Sequence, residues 1–228
     1  FGGRVVVADI KPAEGKLFKE HLEREGNAEY EHFNISDTSN IADNVTRMFR
    51  EYADITGWVN GAYPRTADWK SSRENMPETW HRNVSMQMNG CCLTSWYAAS
   101  SMKLGSGGSI VNIASIYGVV GNDFSVYENT ATCPPPEYPA IKGGIINFSR
   151  YLASKFGSSG VRVNTVSPGG IYNDQKDRHF VEKYSKRTLV KRMGRADEVS
   201  PGVVFLLSEA ASYITGSNLM IDGGWTAV

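Results

Sequence analysis

Charge of either sign is what this sequence has no surplus of: 24 lysines and arginines stand against 24 aspartates and glutamates in 228 residues, a formal net charge of 0. There is no basic run and no stripe of aromatics interleaved with arginines, so the electrostatic case for nucleic acid or an anionic membrane is missing. A small-molecule partner is the expectation. Cysteine is scarce, and Cys91, Cys92 and Cys133 have no metal-ligand spacing, so no metal site is expected. On a helix the adjacent Cys91 and Cys92 would face different sides, and all three read as reduced packing residues of a cytoplasmic protein. The sequence shows no charged-then-apolar leader and no apolar run long enough to span a bilayer. It has no internal repeat or low-complexity tract, although TATCPPPEY (130–138) is a stiff, proline-rich insertion.

What is present alternates. Four short β-branched runs, RVVVADI (4–10), GSIVNIAS (108–115), VRVNTVSP (161–168) and SNLMIDGG (217–224), are apolar and bounded by Gly, Asp or Pro, as buried parallel strands are. ITGWVNGA (55–62) and EYEHFNIS (29–36) are weaker members. Helical spacing marks Ala13–Glu25, Ile41–Tyr52, Pro77–Lys103, Tyr138–Phe156 and Asp197–Glu209. Asp37-Thr38-Ser39 offers a cap for the second helix, and Pro201 falls in the first turns of the last. This order predicts an α/β fold, a doubly wound parallel sheet in one domain spanning 1–228. Ligands in such sheets bind beyond the carboxyl ends of the strands, where GAYPR, ASIYG and SPGGI fall.

Tyr138 and Lys142 sit at i and i+4 in EYPAIKGG, so on a helix their polar tips reach one small volume. Taken alone, the pair reads more readily as an ordinary amphipathic helix with an exposed lysine than as chemistry. Ser115, closing the strand GSIVNIAS, and the SPGG turn after the next strand converge on the same sheet edge. With VVVADI, VNGA, NIAS, YPAIK, RVNTVSPGGI and GSNLMIDGG in that order, the chain resembles the short-chain dehydrogenase/reductase family from end to end.

The resemblance implies roles for particular residues. Tyr138 would be the general acid/base, and Lys142 would lower its pKa and hold the nicotinamide ribose. Ser115 would orient the substrate oxygen. Asp9 and Ile10 would meet the adenosine ribose, where a carboxylate repels a 2′-phosphate and favours NAD over NADP; nearby Lys11 keeps some NADP use open. Asn34 and Ile35 match the adenine pocket, Asn60, Gly61 and Ala62 the strand end under the cofactor, and Pro168, Gly169 and Ile171 the carboxamide contact. The family's helix asparagine is replaced by Gln87, a longer amide that would keep or shift a proton relay.

The family opens with a central strand and a glycine-rich, pyrophosphate-binding turn. Here Phe1-Gly2-Gly3 directly precedes what resembles the second strand. The expectation is therefore a fragment of a longer gene product, with two strands left unpaired beside the gap. AYPRTADW, SIYGVVG, the insertion and SPGGIYNDQ resemble a bacterial subgroup associated with flagellin modification and surface-sugar biosynthesis. Interconversion of an alcohol and a ketone on a sugar-like substrate is the leading expectation. The alternatives are a non-catalytic dehydrogenase-like binding protein, motivated by Gln87, and a carbonyl reductase for apolar substrates lined by Trp58, Trp69 and Trp80. The helix face Ile141, Ile145, Phe148 and Leu152 is expected to form an isologous contact in a homodimer or homotetramer.

Overall fold

A computed structural model describes residues 3–11, 20, 28–52, 55–69, 76–130 and 133–228. Its strands are β1 (Val5–Asp9), β2 (Ala28–His32), β3 (Gly57–Asn60), β4 (Gly108–Ile113), β5 (Val161–Pro168) and β6 (Asn218–Ile221). Its helices are α1 (Ile41–Glu51), α2 (Met76–Asn83), α3 (Gly90–Met102), α4 (Glu137–Phe156), α5 (Arg178–Arg187) and α6 (Ser200–Leu207). Every strand pairing is parallel, so all carboxyl ends lie along one edge of each sheet.

The expected layers are present because β4 and β5 are apolar on both faces. Ile110 and Val163 pack with Ile41, Val45, Ala98 and Leu152 of α1, α3 and α4. Their neighbours Val111 and Val166 pack on the other side with Leu206 of α6. Successive residues of a strand point to opposite faces, so burial of both requires helices on both sides. One expectation of a single sheet is modified: among the described residues, β1-β2 is one sheet and β3-β4-β5-β6 another. β1 and β3 are each paired on one side there, and Val5 and Val59 remain 44% and 45% exposed.

Other boundaries move for local reasons. The predicted helix Ala13–Glu25 lies almost wholly outside the described residues. Pro77–Lys103 is not one regular helix, because a π-helical turn over Val84–Asn89 separates α2 from α3. Just past that turn the helix runs against the backbone of Ile35: a Cβ on Gly90 would stand 2.6 Å from the Ile35 carbonyl oxygen. The capping cluster also behaves differently. Asp37 accepts from Ser39 Oγ and Asn40 Nδ2 instead of capping α1, whose N-cap Asn40 makes no side-chain cap bond. Helix α5 was not expected from its mostly polar sequence. Asp177 caps it by accepting from Phe180 N, and only Phe180 and Tyr184, at i and i+4, are buried. On α4, Ile141, Ile145 and Leu152 are 3% exposed or less within this chain. They build its own core and cannot form the contact between copies assigned to them; of that set Phe148 alone stays partly exposed, stacked on Tyr151.

A buried polar network locks these layers together. Asn112 of β4 accepts from Asn60 Nδ2 of β3 at 2.7 Å and donates to Ser149 Oγ of α4 at 2.9 Å. Asn60 Nδ2 also donates to Ser95 Oγ of α3 at 2.8 Å, and its Oδ1 accepts from Trp58 Nε1 at 3.0 Å. Removing one member leaves the rest buried and unpaired, which costs more than the bond itself. Asn112→Ala should therefore lower the unfolding free energy by roughly 2–4 kcal/mol. Urea denaturation of the variant against wild type reads this, and a loss under about 0.5 kcal/mol, the size of an ordinary surface substitution, would show that the network is not a lock.

Candidate active site

Beyond the ends of β3, β4 and β5 the structure gathers three of the residues singled out by sequence. Ser115 follows β4 in extended backbone and caps the short turn Ile116–Gly118, its Oγ accepting from Tyr117 N at 3.2 Å. That turn presses on α4: a Cβ on Gly118 would lie 2.7 Å from the Lys142 carbonyl carbon. The close approach brings Ser115 beside Tyr138, where its hydroxyl favours the ionised phenol. The cap and the candidate chemical role therefore coexist in one hydroxyl. One turn further along α4, Lys142 is buried, with Nζ donating to the Ile113 carbonyl at 2.9 Å and lying 5.9 Å from the Tyr138 ring centre.

The electrostatics differ from the expectation that Lys142 draws the phenol downward. Burial raises Tyr138 above its ordinary pKa, and the nearby Ser115 hydroxyl opposes that rise. Burial also lowers Lys142 from 10.5 to about 8, with the nearby Cys91 thiol acting in the opposite direction. Desolvation disfavours whichever form is charged, so one environment moves the two groups apart, the phenol upward and the ammonium downward.

An aromatic wall encloses Tyr138. The rings of Tyr63 and Trp69 stand edge-on to it at 5.8 and 6.0 Å, and edge-on to one another at 5.8 Å. The Arg65 guanidinium lies over Tyr63 at 5.0 Å. Trp58, by contrast, stacks on Phe49 in the core. The loop carrying Tyr63 and Trp69 is tethered by fully buried Asn83: its Oδ1 accepts from Thr66 N, and its Nδ2 lies 3.0 Å from Thr66 Oγ1 and 3.2 Å from Glu137 Oε1, the residue before Tyr138. Sequence reasoning passed over Asn83 and brought in Trp69 only under the alternative of an apolar substrate. A buried asparagine close to a loop of aromatics was the available signal.

The insertion, taken with NDFSVYEN (122–129) that leads into it, forms the other wall together with Tyr117. Tyr127 and Tyr117 share a hydroxyl hydrogen bond of 2.8 Å, and the Tyr127 ring lies 5.2 Å from Phe180 of α5. Lys183 Nζ donates to the Glu128 carbonyl at 2.8 Å, and Arg187 pairs with Asp123 at 3.5 Å. These contacts strap α5 to the insertion.

The remaining candidates spread along the sheet edge. Asp9 ends β1, with Oδ1 accepting from Lys11 N at 2.8 Å, and Ile10 is half exposed. Asn34 turns the chain by accepting from Ser36 N at 3.0 Å, while Ile35 is buried beneath Gly90. Asn60 points into the core network, leaving Gly61 and Ala62 exposed at the strand end. Pro168 ends β5; Gly169 N donates to the Ile221 carbonyl, and Ile171 bridges Gly194. Gln87 lies in the π-helical turn, 4% exposed, and neither atom of its amide meets a hydrogen-bond partner. An orphaned buried amide of this kind calls for a reason. Among the described residues no group of His, Cys, Asp and Glu could hold a metal ion, and no helix is long and apolar enough to cross a membrane.

Comparison with known proteins places this arrangement. Residues 1–226 match the family model described as enoyl-(acyl carrier protein) reductase. The post-translational flagellin modification protein A of Campylobacter coli is 33% identical over 98% of this chain and 88% of that protein. The cis-4-hydroxycyclohexanecarboxylate dehydrogenase of Sinomonas cyclohexanicum is 28% identical over 100% of this chain and 88% of that enzyme. Among solved structures, a short-chain dehydrogenase from Leptospira borgpetersenii with bound NAD+ superposes with a TM-score of 0.80 at 28% identity, covering 99% of this chain and 94% of that one. The chain belongs to the short-chain dehydrogenase/reductase family. It is thereby an oxidoreductase of the alcohol–ketone type that uses a nicotinamide cofactor.

The burial of Lys142 has a consequence for stability. Its folded pKa near 8 lies below the ordinary 10.5, so between those values the unfolded chain binds more protons and stability rises with pH. Below pH 8 the full penalty of a buried ammonium is present. Lys142→Met should therefore be more resistant to urea than wild type at pH 7, with the advantage shrinking from pH 8 to 10.5. A pH-independent difference between the two would show that the ammonium is not the destabilising group.

Proposed function

We propose that this protein interconverts a secondary alcohol and a ketone on a sugar or sugar-derived substrate, using NAD in preference to NADP. The observation that carries the reading is the gathering of Ser115, Tyr138 and Lys142 at the carboxyl edge of the sheet, with the Lys142 Nζ 5.9 Å from the Tyr138 ring centre and the Ser115 hydroxyl acting on the same phenol. Tyr138 would exchange the proton with the substrate oxygen, and a phenol kept protonated by burial is ready to donate in the reducing direction. Ser115 would hold that oxygen and take up charge developing on it. Gln87, with its amide unpaired, would hold the water of a proton relay reaching Lys142.

The residues present fit a nicotinamide dinucleotide. Asp9 offers a carboxylate at the end of β1, Ile10 an exposed side chain beside it, and Asn34 and Ile35 a turn at the neighbouring strand end. Gly61 and Ala62 leave the end of β3 open, and Lys142 has donors to spare for a ribose. Pro168, Gly169 and Ile171 would meet the carboxamide. The cofactor would supply or accept the hydride when bound.

Two features favour a hydroxylated, anionic substrate. Tyr63 and Trp69 give a sugar ring apolar faces to lie against, and Arg65, held over Tyr63, presents a guanidinium suited to carboxylate or phosphate. The Campylobacter relative is named for flagellin modification and the Sinomonas relative for a ring alcohol bearing a carboxylate; both accord with that chemistry.

Catalysis is tested on a panel of sugar acids, neutral sugars and steroid alcohols with NAD. Tyr138→Phe should cut turnover by about 10²–10⁴, the usual worth of a general acid/base, while NAD binding stays near the wild-type value. Near-full turnover in the variant would remove Tyr138 from the chemistry, and a preference for steroids would overturn the sugar reading. Cofactor choice is tested separately. Asp9→Ser should raise KM for NAD and improve NADP use with Lys11 as phosphate partner, so the ratio of kcat/KM for the two cofactors moves toward NADP. An unmoved ratio would reduce Asp9 to a turn residue.

A further inference from the structure

Lys142 is a buried cation with no carboxylate beside it, and something must keep it both charged and in place. Its ammonium carries three donors, of which one is spent on the Ile113 carbonyl of β4 at 2.9 Å. The groups facing it come from each surrounding element. From α3 comes Cys91, whose thiol burial pushes up to about 11, so that it is neutral in the physiological range. Its own helix contributes Tyr138, and Ser115 stands beyond β4. The nearest acid along α4, Glu137, is within reach of Asn83. What remains is aromatic: Lys142 Nζ lies 5.4 Å from the ring centre of Tyr63 and 5.9 Å from that of Tyr138. Both distances are within the reach of a cation–π attraction, which is strongest where water is excluded.

We propose that Tyr63 is a positioning residue for Lys142, its ring serving in place of a counter-carboxylate to hold the ammonium beside Tyr138. Tyr63 lies three residues beyond Asn60, the last residue of β3. It is itself fixed by Trp69 and Tyr138 edge-on and by Arg65 over its face at 5.0 Å. The ring, not the hydroxyl, does this work: burial holds the Tyr63 phenol far above its ordinary pKa, so it carries no charge with which to pair the lysine. A carboxylate in its place would form a tight ion pair and hold Lys142 back from a ribose. A ring attracts the ammonium while leaving its N–H donors free to turn. The inference rests on the reading that Lys142 serves the active site, and its test does not depend on turnover.

The measurement is the titration of Lys142 itself, followed by NMR of the side-chain carbon next to Nζ in protein with labelled lysine, with the resonance assigned by its loss in Lys142→Met. Tyr63→Phe keeps the ring and should leave the midpoint within a few tenths of a unit. Tyr63→Leu keeps the site dry but removes the ring, and should lower the midpoint by about one unit, a tenfold change. If the leucine variant fails to fold, replacing Tyr63 with phenylalanine and its mono- and trifluorinated analogues gives the same reading at constant shape, with the midpoint falling stepwise as the ring face loses negative charge. A midpoint indifferent to fluorination, or one that moves as far in Tyr63→Phe as in Tyr63→Leu, would overturn the proposal. An active Tyr138→Phe enzyme would sink the catalytic reading while leaving this titration intact, so the two failures are distinguishable.

Discussion

Asn112 and Asn60, side by side on adjacent parallel strands and sharing a 2.7 Å hydrogen bond in the core, set the geometry on which the candidate site depends. An amide buried in an apolar layer has to find partners, and these two find them in Ser95 on α3 and Ser149 on α4. Both helices are thereby fixed in height and rotation against the sheet. Ser115 lies three residues beyond Asn112, and Lys142 lies seven before Ser149 on the same side of α4, so the placement of one network fixes the other. The chemistry sits at the edge of a layer whose interior is pinned by polar bonds. Apolar contacts alone tolerate sliding by a fraction of a side chain, whereas a hydrogen bond does not.

Much of this was legible in the sequence, because the strands that matter are covered on both faces. GSIVNI and VRVNTVSP are continuous apolar runs with an asparagine at their centre, and they became β4 and β5 with boundaries at or within two residues of the reading. The serine, tyrosine and lysine also arrived where their spacing implied. What could not be read was set by contacts distant in sequence. The π-helical turn at Val84–Asn89 breaks a segment with uniform helical periodicity, and it lies where Gly90 meets the backbone of Ile35, more than fifty residues earlier. Helix α5 was hidden because its stability comes from the strap with the insertion more than from an apolar stripe of its own. The contact face assigned to α4 failed for the opposite reason: periodicity shows that a face is apolar, but not whether a neighbour in the same chain already covers it.

The insertion and the AYPR loop divide the surroundings of Tyr138 between them. The first contributes hydroxyls: Tyr117 and Tyr127 form a bonded pair, with Tyr127 pushed up to about 12 and Tyr117 higher still, so both remain neutral donors. The second contributes ring faces and a guanidinium. A substrate entering between them would meet hydrogen-bond donors on one side and apolar faces beside a positive charge on the other. That division suits the hydroxylated, anionic substrate proposed above. A steroid would leave the hydroxyl pair of Tyr117 and Tyr127 without use.

The displaced titrations of Tyr138 and Lys142 share one cause, burial. Burial alone would make the phenol a poor base and the ammonium a poor cation, and evolution could have avoided the second cost with a carboxylate partner for the lysine. Such a partner would stabilise the charge but add a negative field opposing phenolate at Tyr138. Aromatic faces around the lysine stabilise its charge without adding a full negative charge beside the tyrosine. Tyr138 then keeps its proton without a second fixed charge to oppose its release. A site with few fixed charges leaves the phenol free to exchange its proton, and an ion-paired lysine would have opposed that.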